Sequence, residues 1–131
     1  RGLHYQIRPK GQSKLVSCLD GSIYDVAVDL RKNSDTFGDW VGIELSSKNN
    51  LQFWIPEGFA HGFLVTSTQS KVQYKVSGYW SKEHERAINW RDENIMINWP
   101  LKKFDIKDVI INDKDKNASS FKKAKNDGEL F

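Results

Sequence analysis

Cysteine is nearly absent: Cys18 is the only one in 131 residues. No intramolecular disulfide can form, and a reducing compartment, the cytoplasm, is the expected setting. Long apolar runs are missing too. No stretch approaches the roughly 18–20 residues that cross a bilayer as a helix, and no signal-like segment opens the chain, so no membrane partner is expected. Charge of one sign is not in excess either, since twenty Lys and Arg against seventeen Asp and Glu leave +3. The signs are interspersed over the whole length, which reads as a solvated surface and argues against nucleic acid as a partner. Only three histidines occur.

What is present is aromatic and alternating. Apolar residues make up 38% and aromatics 12%, with five Trp and seven Phe, in a length suited to one domain, 1–131, that buries its own core. SIYDVAVDL sets Tyr24, Val26, Val28 and Leu30 on one face and Asp25, Ala27 and Asp29 on the other, the pattern of a half-buried strand. Asp20-Gly21 before it is a turn signal. DWVGIEL, LQFWI, GFLVTS and KVQYKVSGYW follow at even spacing, and Pro56-Glu57-Gly58 ends one strand and begins another. Many short strands with no helical period between them predict an all-β sandwich or barrel. After Trp99-Pro100 the chain turns Lys- and Asp-rich, an expected covering segment with one short helix near 118–126.

Within WIPEGFAHGF, the residues Pro56, Gly58 and His61 form a P-x-G-x-x-H core that resembles the second motif of the cupin superfamily of jelly-roll barrels. The first cupin motif normally supplies H-x-H, a Glu and a later Gly; the corresponding residues here are His4, Gln6, Lys14 and Gly21. Two of the metal ligands are replaced, one of them by a cation that repels an ion, so no metal is expected.

The resemblance narrows along RGLHYQ, KLV, IYDVAVDLR, TFGDWVGIELS, FWIPEGFAHGFLV, YKVSGYW and EHERAINW. In this order the motifs resemble the dTDP-4-dehydrorhamnose 3,5-epimerases, through Pro100 and loosely to Asn112. The resemblance implies a jelly-roll barrel with a short helical or irregular C-terminal segment. It also implies a homodimer, and a family N-terminal segment that this chain lacks. The implied activity inverts carbons 3 and 5 of a dTDP-linked 4-keto-6-deoxyhexose. The ketone acidifies its neighbouring C–H groups, so the inversions need a base, an acid on the other face and a group that stabilises the enolate, with no cofactor.

The resemblance assigns those roles. His4 becomes the base, a role that suits an imidazole titrating near neutrality; in a strand it shares a face with Gln6, a substrate-side residue. Tyr74 becomes the acid, although its position beside Val72 and Val76 also fits a core tyrosine. Lys14 becomes the partner of the enolate oxygen, although its composition also fits an exposed strand lysine. Asp115 becomes the residue that orients the base, with Asp113 and Asp108 as neighbouring rivals. Arg1 and Lys114 suit a diphosphate. His61 and Glu85 match substrate-contact positions, and Tyr79, a weaker candidate for the acid, is kept as a substrate contact within the family's aromatic motif. Trp54, Trp80 and Trp90 are candidates for stacking or for the core. Three other readings remain open: a one-carbon epimerase of another nucleotide deoxysugar, a non-catalytic sugar-nucleotide binding module, and a metal-dependent cupin, the last opposed by Gln6 and Lys14.

Overall fold

A computed structural model describes residues 1–131. Eight strands form in chain order: β1 His4–Gln6, β2 Lys14–Asp20, β3 Ser22–Asp29, β4 Trp40–Ser46, β5 Gln52–Ile55, β6 Phe59–Val65, β7 Lys71–Val76 and β8 Glu85–Ala87. They make two antiparallel sheets, one in the order β4-β3-β6-β1-β8 and the other β5-β2-β7. This is the all-β, two-sheet architecture that the strand spacing predicts. The chain crosses from one sheet to the other at Gly21, and Pro56-Glu57-Gly58 separates β5 from β6. The predicted strand KVQYKVSGYW is shorter than expected, ending at Val76.

Strand β3 departs from the half-buried pattern. Val26, Val28 and Leu30 join Leu3, Tyr5 and Ile88 in one core, while Ile23 and Ala27 join Val16, Cys18, Leu45 and Ile55 in a second core between the sheets. Asp25 and Asp29 are as buried as the valines. The strand lies in the interior of its sheet, between β4 and β6, and the C-terminal segment covers the sheet's outer side, so neither face meets water. Each large aliphatic side chain closed off this way contributes about 1.5–3 kcal/mol of hydrophobic stabilisation.

The tail holds two short helices, α1 Asp113–Lys116 and α2 Phe121–Asn126. The expected helix over 118–126 starts later because Ser119 bridges to Ile88, and Ser120 then caps α2 by accepting from the Lys123 amide. Asn112 caps α1 in the same way, accepting from the Asp115 amide. The tail is more than a cover, since Ala124 and Leu130 lie in the first core and Asp115 is fully buried. No helix is long and apolar enough to cross a membrane.

Candidate active site

A cavity of about 660 Å³ opens between the two sheets, within the range of small-molecule sites. His4 and Gln6 of β1, His61 of β6 and Glu85 of β8 reach it from one sheet, and Lys14 of β2 and Tyr74 of β7 from the other. Arg1, Tyr79 and Lys114 complete the set. Nine of the ten residues predicted for the site therefore line one cavity; the tenth, Asp115, lies directly behind His4.

His4 Nε2 is 2.5 Å from Asp115 Oδ1. The carboxylate also accepts from the Gly2 amide at 3.0 Å through Oδ2. That contact depends on Gly2, whose φ is +110° and whose missing Cβ would sit 2.5 Å from the Gly62 Cα and the His61 carbonyl oxygen. Only glycine lets the chain pass so close to β6 before entering β1. Burial pushes the Asp115 carboxyl up, but the Gly2 amide and His4 together outweigh it, and its pKa lies below the usual aspartate value. The rival carboxylates Asp108 and Asp113 are exposed. For His4 the balance is reversed: burial lowers its pKa more than Asp115 raises it. The imidazole is thus neutral at pH 7, with Nδ1 unclaimed by the protein, which is the state a base requires.

Lys14 points its ammonium group at the His4 carbonyl oxygen, 3.3 Å away. Burial first, and then Arg1, bring its pKa down to about 8. At neutral pH it is still a cation in a site of low dielectric, where it stabilises nearby negative charge more strongly than water does. Tyr74 is a partly exposed wall residue and not a core tyrosine. Its ring meets His61 edge to face at 5.7 Å, and burial holds its phenol protonated above the ordinary value. The imidazole of His4 and the phenol of Tyr74 thus reach one cavity from different sheets, and Lys14 lines the same cavity.

The remaining predicted residues also line the cavity. Lys114 pairs with Glu85 at 2.5 Å. Gln6 is engaged on both ends of its amide, donating to the Lys10 carbonyl and accepting from the Ser81 amide, each at 2.6 Å. Tyr79 lies beyond the end of β7 and is almost fully exposed, with Trp80 next to it on the cavity wall. Of the other two tryptophans, Trp54 is exposed away from the cavity and Trp90 packs against Trp99. No group of three or more His, Cys, Asp or Glu side chains converges as a metal site.

One residue was not anticipated. His61 Nε2 is 2.6 Å from Asp25 Oδ1, with both side chains buried. Alternation had placed Asp25 on a polar outward face. Only the pairing of β3 with β6, which sets Ala27 opposite His61 and Asp25 opposite Phe63, makes it the diagonal neighbour of the histidine.

The family model for dTDP-4-dehydrorhamnose 3,5-epimerase matches residues 1–123. The chain belongs to the dTDP-4-dehydrorhamnose 3,5-epimerase family. It is 50% identical over 121 residues to the dTDP-4-dehydrorhamnose 3,5-epimerase of Shigella flexneri, covering 92% of this chain and 64% of that one. Among solved structures, an epimerase of Mycobacterium tuberculosis superimposes with a TM-score of 0.95 at 36% identity, over 99% of this chain and 64% of the other. The dTDP-6-deoxy-D-glucose-3,5-epimerase of Legionella pneumophila, in complex with dTDP-4-keto-L-rhamnose, gives 0.90 at 45% identity, over 99% and 66%. The barrel is thus the cupin-type jelly roll of these epimerases, and the chain spans a little under two thirds of the length of the relatives it matches.

Proposed function

We propose that this chain carries the activity of a cofactor-independent epimerase that inverts carbons 3 and 5 of dTDP-4-dehydro-6-deoxy-D-glucose, giving dTDP-4-dehydro-L-rhamnose for dTDP-L-rhamnose synthesis in the cytoplasm. The observation that carries this reading is the convergence of the His4–Asp115 pair, Lys14 and Tyr74 on one cavity. His4 removes the hydrogen on a carbon next to the ketone, and Asp115 stabilises the imidazolium that results. The ketone oxygen gains the negative charge, which Lys14 meets. Tyr74 returns a proton from the opposite face; solvent then reprotonates the tyrosinate and takes the abstracted proton from the His4 imidazolium. Each carbon inverts, with no change in oxidation state.

Arg1 and Lys114, the latter paired with Glu85, line the cavity as cations suited to the negative charges of a diphosphate. Tyr79, Gln6 and His61 complete the proposed substrate contacts. The chain is further proposed to act as a homodimer: β5 and β7 each pair on one side only and offer open edges.

The test is incubation of the 131-residue chain with the 4-keto sugar nucleotide in deuterated water, followed by proton NMR. Deuterium at carbons 3 and 5 with the L-rhamno configuration is expected. Exchange and inversion confined to one carbon would make the chain a one-carbon epimerase, and binding without exchange would make it a sugar-nucleotide binding module.

A further inference from the structure

The cavity wall carries a second histidine–carboxylate pair, and its environment differs from that of the first. Asp115 receives hydrogen bonds from the Gly2 amide and from His4. Asp25 has only His61: its Oδ2 is buried and meets no donor. A buried carboxylate with one oxygen unpartnered is costly for the fold, and an aliphatic side chain among Val16, Ile23 and Ala27 would be cheaper. The one hydrogen bond that Asp25 makes in exchange goes to His61, and its charge also favours the Lys14 cation. Nε2 of that ring is committed to the carboxylate, while Nδ1 makes no hydrogen bond within the protein and is not enclosed, on a residue that lines the cavity.

We infer that Asp25 is a positioning residue for the proposed reaction: by accepting the Nε2 proton of His61, it fixes that ring with Nδ1 as a bare acceptor turned to the cavity, where it takes the hydrogen of a sugar hydroxyl. The inference rests on the reading of the cavity as a sugar-nucleotide site. Two further features support it. Tyr74, edge-on to His61, holds the ring plane, so the lone pair has a set direction. Burial also lowers the His61 pKa more than Asp25 raises it, with Lys14 and Arg1 adding to the lowering, so the ring remains neutral and Nδ1 remains an acceptor. A hydroxyl held there is positioned while the enolate oxygen is left to Lys14, and the two neighbouring groups do not compete for one atom.

The test is nitrogen-15 NMR of the histidine side chains in the full chain at pH 7. His61 should show a pyrrole-like Nε2 and a pyridine-like Nδ1. Addition of dTDP-glucose, which carries the hydroxyls but no reactive ketone, should shift Nδ1 and leave Nε2 nearly in place, whereas dTDP alone should shift neither. Asp25→Asn keeps the shape of the side chain but lets an amide N–H face the ring, favouring the opposite tautomer. It should exchange the two resonance types and lower kcat/KM by about 10- to 100-fold, the scale for losing a supporting hydrogen bond behind a site residue, with dTDP affinity unchanged.

An Nδ1-protonated or doubly protonated His61 in the parent chain would overturn the inference even if the variant failed to fold. So would an Nδ1 resonance unmoved by bound dTDP-glucose, or an Asp25→Asn variant with parental kcat/KM. Failure of both dTDP and dTDP-glucose to bind would overturn the reading of the cavity, and this inference with it.

Discussion

His4 and His61 stand directly opposite one another on the paired strands β1 and β6, and each gives its Nε2 to a different buried aspartate. The cross-strand register brings two imidazoles into one cavity, and the aspartates set what each can do. Removing the base or its orienter should therefore have comparable effects. His4→Asn should depress deuterium exchange and inversion together by about 100- to 10,000-fold. Asp115→Asn should keep the ring in place and still lose about as much, because the amide favours the wrong tautomer. Steady-state kinetics with unchanged circular dichroism checks both, and a mild Asp115→Asn effect would point to Asp113 or Asp108 instead.

Tyr74→Phe separates proton removal from proton return. His4 and Lys14 remain, so the enolate should still form and take up solvent deuterium on the face from which it lost hydrogen. The ratio of deuterium wash-in to inversion should rise well above that of the parent. An unchanged ratio would make Tyr74 a wall residue without a proton role, and Tyr79 would be the next phenol to test.

Lys14 should set the alkaline side of the pH profile. Its pKa is lowered to about 8, chiefly by burial, with Arg1 lowering it further and Asp25 and Glu85 raising it. Activity should fall above about pH 8 as the cation is lost. The acid limb should lie below the ordinary histidine value of 6.5, since the His4 pKa is lowered. A limb near 10 or higher would belong to Tyr74, whose phenol is pushed up. Lys14→Met should lower kcat by about 100-fold or more yet stabilise the fold by about 1–3 kcal/mol, because a desolvated cation is replaced by an apolar chain. Below pH 8 the folded and unfolded chains both carry the charge, and its burial cost is then fully present. As pH rises from 8 towards the ordinary lysine value of 10.5, the folded state releases its proton first, and the stability gap between variant and parent should close.

Asp29 offers a test of stability far from chemistry. Its carboxylate accepts from the Arg31 amide and guanidinium, the Ser34 hydroxyl and the Thr36 hydroxyl. Burial pushes its pKa up, but these donors together outweigh it and hold the group well below the usual carboxylate range. Asp29→Ala should cost about 2–3 kcal/mol at pH 7, kept moderate because the Arg31 side chain is about half exposed (46%) and regains water. A depressed carboxyl contributes its full stability above the unfolded value of 3.8 and loses it as pH falls below. Denaturant titrations at pH 7 and pH 3 should show the difference between parent and variant shrinking at the lower pH.

The sequence was most legible where period-2 alternation and turn residues coincide. Asp20-Gly21 and Pro56-Glu57-Gly58 bound their strands as read. The same alternation misplaced Asp25 and Asp29, because it supposes that one face of a strand meets water, whereas β3 is covered on both. In the cavity, His4, Lys14 and Tyr74 were legible through the family resemblance, whereas alternation alone left Tyr74 as a core residue and Lys14 as a surface one. The Asp25–His61 contact was not, since it depends on which strands pair and in what register. The tail was hardest to read: α1 has four residues, too short for any periodic signal, and the buried Asp115 looks in sequence like its solvated neighbours.

The contact between His4 and Asp115 joins residues 111 positions apart. Closing a loop of that length costs about 4 kcal/mol of chain entropy by the (3/2)RT ln n relation, and α1, which carries Asp115, belongs to neither sheet. A chain refolding from denaturant should therefore pass through a species with both sheets formed and the base still free to rotate. Native-like strand spectra should return before turnover does, and the lag between them should measure the docking of residues 113–131.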